Sequence, residues 1–179
     1  IPASSDVRAQ TQARFTAAVS EKRLAEAEAE GSVLLTLDTS PAMLDEVSFK
    51  LVDAGADDEA LRVLLSAYPF ANAGAAERDA LFQRMIPLVE QRRGELTDPR
   101  FQPLRVPLDT PALRSRQGVL WTRVGDCETV RVVLGDLSPE YGHDDWLRLG
   151  DCAATADPSL ARSAYATAHA MQPGGRGSM

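Results

Sequence analysis

Lysine is nearly missing from this chain: of 19 basic residues only Lys22 and Lys50 are lysines, and the arginines form no basic run. With 26 acidic residues the formal charge is −7, which argues against nucleic acid or an anionic membrane surface as the main partner. The preference for arginine reads as coding bias rather than as a phosphate-reading site. No run of 18 apolar residues occurs, so no segment is expected to cross a bilayer as a helix. Histidine and cysteine occur twice each, as His143, His169, Cys127 and Cys152. A CxxC pair is absent, and the cysteine spacing does not make a zinc knuckle. G-x-S-x-G, H-E-x-x-H and P-loop signatures are absent as well, and "GADDEA" lacks the ligand spacing of a calcium loop. The expectation is a non-enzyme with no catalytic residues, no metal and no cofactor. The chain opens at Ile1 without a basic-then-apolar leader, which points to a processed protein or an excised piece.

Strand signals are few. "SVLLTLDT" (residues 32–39) is an apolar cluster and "RVVLGD" (131–136) is β-branched, but neither has a hairpin partner with turn chemistry. The rest follows a helical period, so the fold class is all-α. Residues 6–30 are rich in Ala and Glu and free of Gly and Pro; with Phe15, Ala18 and Val19 on one face they predict one long N-terminal helix within 1–31, stopped by Gly31. Ser40-Pro41, Thr110-Pro111 and Asp157-Pro158 each pair a capping side chain with a proline whose missing N–H costs nothing there, and so predict three helix starts. Helices reverse at Gly55 and Gly125, each turning through acidic residues into a second helix, with Ala60 among the apolar residues of the first. These glycines lie 70 residues apart, as do Pro69 and Pro139, or two units of about 35. Residues 76–96 form another helical stretch with Leu81, Met85, Leu88 and Val89 as its stripe; Pro87 should kink or split it.

The division that results is a long helix over 1–31, helical repeats over 32–96, a Pro-rich loop or seam over 97–110, two repeats over 111–173 and a flexible tail over 174–179. The last repeat is the clearest. Trp146, Leu149 and Gly150 stand in W-x2-L-G spacing, and Ala161, Tyr165, Ala168 and Pro173 follow in A-x3-Y-x2-A-x4-P spacing. This resembles a tetratricopeptide repeat (TPR). The interval from Gly150 to Ala161 is one residue short of the usual pattern, and Ala153 stands where tyrosine is common, so the loop is trimmed. The resemblance implies paired helices stacked into a superhelix, with Gly150 and the alanines at the close approach, Gly55, Ala60 and Gly125 in repeat packing, and Trp146 and Tyr165 in the wider gaps.

A longer string, Gly125 to Pro173, with its "GDC…VR" helix, "SP-x-Y…W-x2-L-x2-C" and a final helix ending in "QP", resembles the periplasmic repeat region of the bacteriophage-adsorption outer-membrane protein A family. Members join such repeats to an outer-membrane barrel, are associated with envelope polysaccharide export and are exploited as phage receptors. The resemblance implies a periplasmic scaffold that binds a phage tail component, an envelope secretion component or polysaccharide. Phe49, Trp121 and Trp146 lie on the first helices that would line its surface, Trp146 as core.

Cys127 opens the second helix of one repeat and Cys152 closes the first helix of the next, so a bridge is reasonable between neighbours and fits an oxidising compartment. Two separate buried thiols in the cytosol is the alternative, and with it a cytosolic peptide-binding adaptor. That reading lacks a compact basic set, since Arg123, Arg131 and Arg148 are dispersed. In "YGHDDW", His143 with Asp144 and Asp145 could be a weak metal site or an acid–base pair. The simpler account has Asp144 or Asp145 capping the helix of Trp146, with His143 exposed. His169 reads as surface, and no carboxylate pair is singled out for glycan hydrolysis.

Overall fold

The computed structural model describes residues 3–71, 75–90, 96 and 98–171. Every regular element among them is helical, and the chain forms two compact units that divide at Gln91/Arg92. Both strand candidates are helical: residues 32–37 finish one helix and 131–134 another.

The first unit holds α1 (Ala3–Ser20), α2 (Leu24–Leu37), α3 (Pro41–Asp53), α4 (Asp57–Ala67) and α5 (Ala75–Val89), with a 3-10 turn at Tyr68–Phe70. The single long N-terminal helix is thereby corrected to two. The break comes at Lys22, which takes a left-handed φ of 58° and is the one described non-glycine with positive φ. The Arg23 amide donates back to the Ala18 carbonyl at 2.9 Å, closing α1 in the manner usually built on glycine. Gly31 stops nothing. It is buried inside α2, where a Cβ would stand 3.2 Å from both the Phe15 ring and Val47. Its bare backbone is what lets α2 lie close to these neighbours.

Gly55 ends α3, and Gly125 ends the later helix α6 (Pro111–Val124), with the same closure. Their φ values are 78° and 86°, and the following amides donate to Leu51 and Trp121. Nothing lies within 4 Å of a Cβ at either position. Their assignment to repeat packing is therefore corrected: they serve backbone geometry, which a side chain would strain, and not close approach.

α1 packs on α2, α3 on α4, α2 on α4, and α5 on both α3 and α4. Three polar bonds joining α1 to α3 and α2 to α4 share one offset. Gln12 donates to Glu46, Lys50 to Thr16 and Arg62 to Glu28, each across 34 residues. Beneath them Phe15, Leu34, Leu44, Leu51, Leu64 and Leu81 are fully buried. α5 runs past Pro87 unsplit and ends two residues later at Val89.

The second unit holds α6 (Pro111–Val124), α7 (Cys127–Leu134), α8 (His143–Ala153) and α9 (Pro158–Met171). The Pro-rich stretch is structured by a 3-10 segment at Pro99–Arg105 that buries Phe101 and Leu104. α6 packs on α7 and α8, α7 on α8, and α8 on α9. The three cap-and-proline starts open α3, α6 and α9, where Ser40, Thr110 and Asp157 accept from Met43, Leu113 and Leu160 at 3.4, 3.3 and 3.1 Å.

Candidate functional site

α3 and α5 form the walls of a groove of about 300 Å³. Phe49 and Val52 stand out from α3, 55% and 38% exposed; Pro87 is exposed on α5 beside the largely buried Leu88. The polar side chains here are engaged within the wall. Ser48 donates to the Leu44 carbonyl at 2.6 Å, Gln83 to Asp79 at 2.7 Å, and Arg84 to the Ala80 carbonyl and the Asp45 carboxylate. The surface left facing outward is apolar, built from a side chain of the first-helix type that the sequence singled out, Phe49, and a proline ring. Trp121, the other expected surface aromatic, is fully buried, which corrects that assignment.

Trp121 is held by a network that the sequence reading missed. Its Nε1 donates to the Leu104 carbonyl at 2.8 Å, its ring meets Phe101 edge-on at 5.9 Å, and the Arg105 guanidinium lies 4.1 Å from its centre. Gln117, fully buried one turn earlier, donates to the Leu104 and Val106 carbonyls and accepts from the Leu108 amide. Together they fasten the 3-10 segment to α6. Arg105 also reaches Asp126 and Thr129. Burial pushes the Asp126 carboxyl up, but the Thr129 amide and hydroxyl and the Arg105 guanidinium outweigh it, so the net shift is down.

The "YGHDDW" segment forms a second, polar cleft of about 390 Å³ between α6 and α8. Asp145, not Asp144, caps α8, accepting from the Gly142 amide at 3.2 Å. The same buried carboxylate takes the Ser115 hydroxyl at 2.8 Å and Arg148 at 3.2 Å. His143 is half-buried rather than exposed, with Nδ1 3.1 Å from the exposed Asp144 carboxylate. Among the described residues no three His, Cys, Asp or Glu side chains are grouped to hold a metal. His169 and Arg123 are exposed and lie apart from this cleft.

The repeat residues gather in the α8–α9 hairpin. Trp146, Leu149, Gly150, Ala161 and Ala168 are buried, as is Ala60 in α4. Tyr165 does not fill a wide gap. Its ring covers Gly150, where a Cβ would come within 2.6 Å of it, while its hydroxyl donates to Asp151 at 2.5 Å and raises the phenol pKa. Gly118, which the sequence reading passed over, plays the matching part in α6, a Cβ there standing 2.7 Å from Leu134. Pro173 and the tail 174–179 lie outside the described residues. Cys127 and Cys152 are joined in a disulfide with Cα atoms 5.0 Å apart.

No protein-family profile and no solved structure matches the chain. Bacteriophage adsorption protein A of Escherichia coli (strain K12) is 30% identical over 130 residues. The chain is distantly related to it. The match takes in 73% of this chain and 13% of bacteriophage adsorption protein A, so the chain corresponds to a small share of that protein's length. The bridge and this relationship together point to an extracytoplasmic location.

Proposed function

We propose that this chain is a TPR-like, non-catalytic scaffold segment in the periplasm, part of an outer-membrane protein that serves phage adsorption and envelope polysaccharide export, and that it binds a protein partner through the α3–α5 groove. The observation that carries the binding assignment is the exposed Phe49–Val52 face opposite Pro87, in walls whose polar side chains bond to groups of their own walls. Apolar side chains of a partner gain by covering such a surface, and no polar group of the wall has to lose a bond for them to do so. The 34-residue offset of the Gln12–Glu46, Thr16–Lys50 and Glu28–Arg62 bonds supports the repeat reading. The relationship to a phage adsorption protein supports the envelope role. The bridged cysteines weigh against the cytosolic adaptor.

The test replaces Phe49 and Val52 with Asp in the parent outer-membrane protein. Phage adsorption and capture of envelope secretion components are then measured, with helicity followed in parallel. Lost binding with unchanged helicity is expected. Full binding by a folded Phe49→Asp, Val52→Asp variant removes the groove from the contact surface.

A second reading is favoured by the polar cleft of unit 2, where a hydroxyl, a guanidinium and an imidazole suit the hydroxyls of a polysaccharide. Calorimetric titration with envelope polysaccharide, compared with Arg148→Ala, decides it: equal heats from both proteins rule the cleft out.

A further inference from the structure

The two units differ in one covalent respect. Both cysteines of the chain belong to the second, and no free cysteine remains. Cys127 is the first residue of α7 and is exposed; Cys152 lies in the last turn of α8 and is half-buried. One end of the bridge therefore stands on an exposed residue. The closed loop contains all of α7, the irregular residues 135–142 and nearly all of α8. It carries Val130, Val133, Leu134, Tyr141, Trp146 and Leu149, a large part of the unit's core. α7 has eight residues, too few to hold a helix without tertiary support. Its order depends on the packing of Leu134 on Gly118, on the Asp126 cap and on the closure itself. The first unit, five helices with Phe15, Leu34, Leu44, Leu64 and Phe82 buried, has no sulfur–sulfur link to lose.

We propose that the Cys127–Cys152 bridge is a redox lock on the second unit alone. Oxidised, it holds the α7–α8 corner shut; reduced by a dithiol, it lets that corner open while the first unit keeps its structure. The chemistry balances within the dithiol and the bridge. One thiolate attacks a cysteine sulfur, the protein S–S bond breaks and a mixed disulfide forms. The second thiolate of the reductant then attacks the reductant sulfur of that mixed disulfide and displaces the cysteine first attacked; the dithiol's two protons pass to the two released cysteines, leaving two protein thiols and a cyclic disulfide. A chain still in a reducing compartment would carry one finished unit and one open one, and folding would be completed on arrival where disulfides form.

Hydrogen exchange on the full chain, before and after dithiothreitol without denaturant, tests this, with released thiols counted in parallel. Two thiols should appear. Amide protection over 127–153 should fall on the order of a hundredfold, the chain-entropy value for a loop of this size, and α1–α5 should keep theirs. The Cys127→Ser, Cys152→Ser double variant should match the reduced protein, and removal of the reductant with reoxidation should restore protection. Three results overturn the lock: no thiols released in native buffer, unchanged protection over 127–153 once two thiols are counted, or an equal loss in α1–α5.

Discussion

Single residues decide where this chain turns and where its helices touch. Lys22 occupies a left-handed position that Gly55 and Gly125 fill at the corresponding corners. Its side chain donates to the Ala54 carbonyl at 3.0 Å on the surface, a small return for a strained backbone. Lys22→Gly is therefore expected to stabilise the protein by about 0.5–1 kcal/mol, read from urea denaturation. Loss of stability instead would show that the Ala54 contact outweighs the strain. The α6–α7 contact runs the opposite way. Gly118→Val pushes carbon into the space held by Leu134 and should cost about 1–3 kcal/mol. These residues also show why the corners were unevenly legible. Glycine announces a left-handed stop, so the ends of α3 and α6 could be read directly. A lysine in that role gives no such signal, and α1 and α2 merged into one helix on paper. Gly31 misled for the converse reason: a glycine kept inside a helix for close packing looks like one that ends it.

At the scale of elements, the capped prolines were readable because their chemistry is local. Ser40, Thr110 and Asp157 bond amides three residues on, whatever the rest of the molecule does. The fastening of the 3-10 segment to α6 was not, because it depends on which helix face meets the loop. Trp121 could equally have lined a surface until Leu104 and Arg105 were placed against it. Gln117 is the strongest test of that fastening. Gln117→Leu removes partners from three backbone groups around the segment and should destabilise the second unit by about 2–3 kcal/mol in thermal unfolding. The groove was half legible. Phe49 could be assigned to the surface of a first helix, but its pairing with Pro87 required α3 and α5 side by side. Phe49→Asp should leave stability within about 0.5 kcal/mol, since the side chain is exposed, so that any binding defect is read cleanly.

For the molecule as a whole, the charged seams set a pH limit. Asp38, Glu46 and Asp126 all have folded pKa values below their ordinary ones, held down for Asp38 chiefly by Ser40, for Glu46 by Gln12 and Lys50, and for Asp126 by Thr129 and Arg105 against the opposing effect of burial. In the unfolded chain these groups protonate near pH 4, before they do in the fold, so their stabilisation is complete above about pH 4 and disappears as the pH falls through the folded values. Melting temperatures should drop as acid is added below that point, and Asp126→Asn should flatten part of the drop; an unchanged slope would remove Asp126 from the account. The seams of the first unit have one more consequence. Because Gln12–Glu46, Thr16–Lys50 and Glu28–Arg62 join residues at one constant interval, α1 and α2 meet α3 and α4 in a single register. A displacement of α3 and α4 along α1 and α2 would therefore break all three bonds together. The register of that contact is held at three points at once, so it is lost or kept as a whole.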